Sequence, residues 1–270
     1  MPELPEVEVS RLGIEPKITG ATIAKIILRT PKLRWDIPAD VVLAEGQVIR
    51  SVTRRAKYIF INTDVGSLIL HLGMTGYLRV FDQHTPVVKH DHVDIVLTNG
   101  ECLRFNDARK FGALLWQGKD EAQHALLNKL GPEPLTDDFH DKVLFERSRG
   151  RSATVKQFIM DNHIVVGVGN IYANEALFMS GIHPKRSAGK ISLKRYQALT
   201  RNIKIVLAAA IEQGGTTLQD FSNVDGSPGY FRIHLNVYGR TGKPCRVCKS
   251  PIKSVMLGQR NTFYCASCQR

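Results

Sequence analysis

The sequence predicts an α+β multidomain protein: a β-rich first half opened by a helix, a helical second half, and a small metal-bound tail. Three observations carry this reading. Short apolar runs recur between turn signals in the first half, apolar residues repeat at helical spacing in the second, and four of the five cysteines fall in the last 26 of 270 residues. A hydrophobic fraction of 43% suits a chain with a real core, and the length suits two ordinary domains.

The N-terminus reads as a helix start. Pro5 fits a first-turn position, and Glu6 and Glu8 favour the positive end of a helix. Strands are expected within Ala21–Arg29, Tyr58–Ile61, Leu68–His71, Val93–Leu97, Leu103–Phe105 and Ala113–Trp116. Val93, Ile95 and Leu97 alternate toward one face, Leu103 and Phe105 can answer from a partner strand, and Asn99-Gly100 predicts a two-residue hairpin between them. Such strands form a sandwich or a barrel. Cys102 reads as a core thiol.

Gly131-Pro132-Glu133-Pro134 breaks the pattern, and a polar stretch runs on to Arg151. The domain boundary is expected there, with 1–134 as the first domain and 135–150 as a linker. Helices are expected over Ala153–Asp161 and Ile171–Ser180. A third begins after an N-cap at Ser192, carries Leu193, Tyr196, Leu199, Ile203, Val206, Leu207 and Ala210 on one face, and stops at Gly214-Gly215. Val166-Gly167-Val168-Gly169-Asn170 lies between the first two. It can be a glycine turn presenting backbone N–H groups to a phosphate, or a tight helix–helix turn.

The tail reads Cys245-x-x-Cys248, sixteen residues, then Cys265-x-x-Cys268. That spacing matches a structural zinc ribbon, in which two knuckles complete one closed tetrahedron; two redox pairs are the alternative. The formal charge is +12, from 37 basic and 25 acidic residues, and Gly226–Arg270 holds eight Lys or Arg with no Asp or Glu. A polyanion, nucleic acid first, is the expected partner. With no basic leader at the start and no run near eighteen apolar residues, a cytoplasmic protein is expected.

Position two adds chemistry. Cleavage of Met1 would leave Pro2 with a free secondary amine, of a class with pKa about 7.7–8.0, which is partly neutral and nucleophilic at pH 7. Glu3 beside it is a candidate general acid or base.

Six segments occur in order: Pro2-Glu3-Leu4-Pro5-Glu6-Val7-Glu8, His71-Leu72-Gly73-Met74-Thr75-Gly76, Lys89-His90-Asp91-His92-Val93-Asp94, Arg109-Lys110-Phe111-Gly112, Gly167-Val168-Gly169-Asn170-Ile171-Tyr172 and the cysteine tail. Together they resemble the formamidopyrimidine-DNA glycosylase (Fpg/MutM) family across essentially the whole chain. Leu4 stands where the related endonuclease VIII branch usually has Gly. The resemblance implies an N-terminal catalytic β-sandwich domain, a helix–two-turns–helix DNA-binding domain over 151–235, and a zinc finger over 236–270 with one structural Zn2+. It implies an AP lyase of base-excision repair that excises oxidised purines from damaged double-stranded DNA, acting as a monomer without an organic cofactor and associated with the bacterial nucleoid.

By that resemblance Pro2 attacks the sugar C1′ and Glu3 serves as acid or base. Lys57 acts in β-elimination and phosphate contact, and Arg260 contacts phosphate and donates a proton in δ-elimination. His90, Arg109, Arg151 and Asn170 match DNA-contacting positions. Met74, Arg109 and Phe111 match the residues that fill the gap left by the extruded base. Cys245, Cys248, Cys265 and Cys268 are the metal ligands, and 214–238 corresponds to the lesion-binding loop. Ala108 and Lys110 depart from the usual Asp-Pro-Arg-Arg pattern.

Overall fold

A computed structural model describes residues 2–215 and 235–270; most of the expected lesion-binding loop, and Met1, lie outside them. The described chain forms two compact units. The first holds 2–128 and 213–215, the second 129–212 and 235–270.

The first unit runs α1 (Leu4–Ile18), β1 (Ile23–Leu28), β2 (Ser51–Arg55), β3 (Tyr58–Asn62), β4 (Gly66–His71), β5 (Tyr77–Asp82), β6 (Asp91–Leu97), β7 (Glu101–Asn106) and β8 (Ala113–Gly118). Two antiparallel four-stranded sheets result, in the orders β1-β6-β7-β5 and β2-β3-β4-β8, so the first half is a sandwich. Val93 pairs with Phe105 and Ile95 with Leu103, as the alternation predicted, and all four are at most 2% exposed. Burying each such side chain contributes about 1.5–3 kcal/mol. Helix α1 buries Leu4, Val7, Ile14 and Ile18, and Val7, Ile14 and Ile18 join that core.

Two strands were not expected, β2 and β5. The β6–β7 connection also differs from the Asn-Gly expectation. It is a three-residue loop, Thr98-Asn99-Gly100, in which the Gly100 N–H donates to Leu97 O at 3.2 Å and only Gly100, at φ +88°, is left-handed. Cys102 is fully buried, and burial followed by the nearby Asp94 carboxylate pushes its thiol up to about 12, as a core thiol requires.

The second unit holds α2 (Asp141–Ser148), α3 (Val155–Ile159), α4 (Asn170–Met179), α5 (Leu193–Glu212), β9 (Lys253–Leu257) and β10 (Arg260–Tyr264). The predicted apolar face of α5 is the buried one, and α2 and α4 pack against that helix. The stretch 135–150 is therefore not a plain linker. It contains α2, anchored by buried Val143 and Leu144, and the compact division falls between 128 and 129. The expected helical domain and finger also join in one unit, where Phe178 of α4 clusters with Val237, Cys245, Ile252 and Cys265. Among the described residues no helix is long and apolar enough to cross a membrane.

Candidate active site and nucleic-acid interface

In the first unit Pro2 lies buried just ahead of α1, and Glu3, 3% exposed, caps that helix. Glu3 and Glu6 form a reciprocal capping box in which the Glu3 N–H donates to Glu6 Oε2 at 2.8 Å. Lys57 stands in the two-residue turn between β2 and β3, after Ala56, which adopts φ +53°. Arg54 ties this turn to α1: its Nη1 donates to Ala56 O at 2.8 Å and its Nε to Glu8 Oε2 at 2.7 Å. Burial pushes the Glu8 carboxyl up, but Arg11 and Arg54 outweigh it and hold the group below its ordinary value.

His71 ends β4 close to this turn. Burial, then the charges of Lys57 and Arg34, push its imidazole down to about 4. Its Nδ1 accepts the Gly73 N–H at 3.0 Å, so the neutral ring carries its proton on Nε2. A cavity of about 500 Å3 opens beside it, lined by Leu33, Arg34, Gly73, Met74, Lys110 and Phe111. Phe111 is 42% exposed, and the Arg109 guanidinium stacks on its ring at 4.7 Å. His90 is held at φ +74°, its carbonyl accepting the Asp107 N–H at 3.1 Å. The loop before it is fixed from below: buried Arg104 grips Asp94 at 2.8 and 3.0 Å and donates to Pro86 O and Thr85 O at 3.0 and 3.2 Å.

In the second unit Gly169 caps α4 and Asn170 opens it, with Gly167 at φ +76° in the turn before. Asn170 Nδ2 donates to Asn261 O at 3.1 Å, which brings Asn170 beside the hairpin that carries Arg260. That hairpin turns through Gly258 and Gln259, both left-handed at φ +54° and +59°, and Arg260 emerges exposed. Arg151 is exposed between α2 and α3, its Nε donating to Arg147 O at 2.9 Å.

The four tail cysteines converge, with all four sulfurs within 4.8 Å of one another. Tetrahedral thiolates at a Zn–S distance of about 2.3 Å lie roughly 3.8 Å apart, so the cluster fits one closed zinc site.

Comparisons with known proteins bear on the family and the fold. Family models for the formamidopyrimidine-DNA glycosylase N-terminal domain, the formamidopyrimidine-DNA glycosylase H2TH domain, and the zinc finger found in FPG and IleRS match residues 1–114, 130–222 and 242–270. The formamidopyrimidine-DNA glycosylase of Alteromonas mediterranea is 63% identical over the full length of both chains, and that of Pseudoalteromonas atlantica 62%. The chain belongs to the formamidopyrimidine-DNA glycosylase family. It is accordingly a DNA glycosylase, with a helix–two-turns–helix domain and one structural zinc. The crystal structure of the Thermus thermophilus MutM (FPG) protein superimposes with a TM-score of 0.90 at 36% identity, covering 99% of this chain and 98% of that one. A Lactococcus lactis FPG mutant in complex with Fapy-dG-containing DNA superimposes with a TM-score of 0.92 at 32% identity over the whole of both chains.

Several residues that sequence reasoning passed over hold the candidate loops in place within each unit of this glycosylase. Asp107 and Thr75 join the Met74 and Arg109 loops. Lys156, 1% exposed, donates to Thr262 Oγ1 at 2.6 Å. Asn174 Oδ1 accepts the Phe263 N–H at 2.8 Å. The Glu175 carboxylate accepts the backbone N–H groups of Asn236, Val237 and Tyr238 at 2.8–2.9 Å. Asn174 and Glu175 lie just beyond the quoted Gly-Asn-Ile-Tyr run, and Asp107 opens the Asp-Pro-Arg-Arg pattern, which marks its place but no role for it.

Proposed function

We propose that the protein excises oxidised purines, chiefly 8-oxoguanine and formamidopyrimidines, from duplex DNA, and then cleaves the abasic strand by successive β- and δ-elimination through a Schiff base on Pro2. The observation that carries this reading is the Glu8–Arg54–Ala56 chain of hydrogen bonds. It couples the helix headed by Pro2 and Glu3 to the turn bearing Lys57.

A base inside the duplex cannot present C1′ to an amine, so the nucleotide is flipped out. Unstacking costs a few kcal/mol, which apolar wedges such as Met74 and Phe111 partly offset. With Met1 removed, the neutral Pro2 nitrogen attacks C1′ and the C1′–N bond breaks toward the base. Glu3 delivers a proton to the sugar ring oxygen as the ring opens to the iminium. Lys57 assists loss of the C2′ proton and the 3′-phosphate, and Arg260 assists loss of the 5′-phosphate. His90, Arg109, Arg151 and Asn170 bind the backbone. The bound zinc supplies no chemistry; it fixes the finger that carries Arg260. The enzyme works as a monomer on cytoplasmic, nucleoid DNA, and its binding weakens steeply with salt as phosphate counterions are released.

Borohydride trapping tests this. A covalent adduct with 8-oxoguanine duplex is expected from protein whose intact mass lacks Met1. A fixed N-terminal tag is expected to abolish both the adduct and strand cleavage. Full activity from tagged or Met1-bearing molecules would overturn the Pro2 mechanism. Faster excision of thymine glycol than of 8-oxoguanine would overturn the purine assignment.

A further inference from the structure

Met74 and Phe111 stand on separate loops of the sandwich, and a single carboxylate joins those loops. Asp107 is 0% exposed. Its Oδ1 accepts the Thr75 hydroxyl at 2.6 Å and the Arg109 N–H at 3.2 Å, and its Oδ2 accepts the Gly112 N–H at 2.7 Å. The Arg109 N–H also lies 3.2 Å from Thr75 Oγ1, so this hydroxyl and the carboxylate converge on one donor. The Asp107 carbonyl accepts the Lys110 N–H at 3.3 Å, closing a turn over 107–110, and lies 2.9 Å from His92 Nε2.

The loops touch below the carboxylate as well. A Cβ on Gly73 would lie 2.4 Å from Gly112 N and Phe111 C, and one on Gly112 would lie 2.6 Å from His71 O, at the foot of the Met74 loop. The two loops pack backbone against backbone there. Ala108 takes the second position of the 107–110 turn, so no proline ring restrains the backbone there and the bonds to Asp107 set its course.

We propose that Asp107, acting through Thr75, is a positioning residue that locks Met74 and Phe111 into one rigid wedge, so that both enter the duplex together. This rests on the reading that Met74 and Phe111 fill the vacated base position. The physical gain is preorganisation: side chains already fixed in their inserted arrangement lose less freedom on entry than two independent loops would.

A double-mutant cycle tests it, read by single-turnover excision at saturating enzyme on an 8-oxoguanine duplex. A 2-aminopurine beside the lesion reports insertion. Thr75→Val keeps the shape and removes the hydroxyl; it is expected to slow insertion and excision about tenfold while affinity for undamaged duplex stays within about twofold. Thr75→Ser is expected to restore the rate. In a Met74→Ala background, Thr75→Val is expected to cost less than about twofold, because Phe111 then has no partner side chain for the clamp to hold it to. Asp107→Asn, which turns an amide donor toward a backbone donor, is expected to slow excision more than Thr75→Val.

Equal slowing by Thr75→Val in both backgrounds would overturn the clamp. So would a Thr75→Ser variant as slow as Thr75→Val, or an undiminished rate for Thr75→Val. If Met74→Ala and Phe111→Ala both excise at the normal rate, the gap-filling reading falls instead, separately from the clamp.

Discussion

In the first unit the loops bearing Met74, His90 and Arg109 rise from two four-stranded sheets, and one continuous apolar core lies beneath them. In the second, Arg260 stands on a two-stranded hairpin whose apolar cluster is a handful of side chains, two of them metal-binding cysteines. The first unit therefore holds its loops from below, by packing and by buried acceptors such as Asp107. The second holds its hairpin from the side, through Lys156, Asn170 and Asn174 reaching across to backbone and hydroxyl groups, and through the metal. In a module with so small a core, metal ligation and side-chain hydrogen bonds from the neighbouring helices take over the work that packing does in the sandwich.

Metal loss should separate the two units most sharply. Structural zinc contributes about 10–16 kcal/mol in isolated finger peptides. Cys245→Ser should abolish zinc binding and expose the 236–270 tail to protease, while the sandwich keeps its thermal transition. Loss of the sandwich transition as well would erase the contrast. Next in size, Gly73→Ala places a Cβ at φ +66° and 2.4 Å from the backbone of Phe111 and Gly112. A loss of about 3 kcal/mol in urea unfolding is expected, with zinc content unchanged.

A smaller effect is confined to acid. The folded pKa of His71, about 4, lies below the ordinary value. The unfolded chain thus binds the extra proton first as pH falls, and the contribution is fully present above about 6.5 and lost progressively toward 4. His71→Asn keeps an acceptor for the Gly73 N–H and should flatten that decline, seen in urea midpoints across the window. An unchanged slope would place the acid sensitivity elsewhere. Smallest, Ala108→Pro should stabilise by about 0.5 kcal/mol by restricting the unfolded chain at a turn position.

The sequence made the apolar architecture readable wherever burial imposed a period. Strands β1, β3, β4, β6, β7 and β8 carried apolar runs, and the α5 stripe was unbroken. Strand β2 escaped because Thr53, Arg54 and Arg55 occupy it, with only Val52 buried. Strand β5 escaped because Leu78 alone is buried in Tyr-Leu-Arg-Val-Phe-Asp. Helix α2 hid in a charged stretch with two buried apolar residues. The cysteine spacing was legible because ligand geometry demands it. The role of Asp107 was not, since an acid beside Ala-Arg-Lys reads as a solvated charge, and only the tertiary fold buries its carboxylate against three donors on two segments.

Of the five left-handed non-glycine residues among those described, Ala56 precedes Lys57, His90 is itself a DNA-contact candidate, Lys110 divides Arg109 from Phe111, and Gln259 precedes Arg260. Each conformation costs about 1 kcal/mol that glycine would relieve. Against a typical domain stability of 5–15 kcal/mol, four such positions give up a sizeable fraction of the margin. Glycine replacements at Ala56 and Gln259 should accordingly yield a sturdier protein in which Lys57 and Arg260 point less surely, a trade between endurance and aim written into the backbone at the mouths of its hairpins.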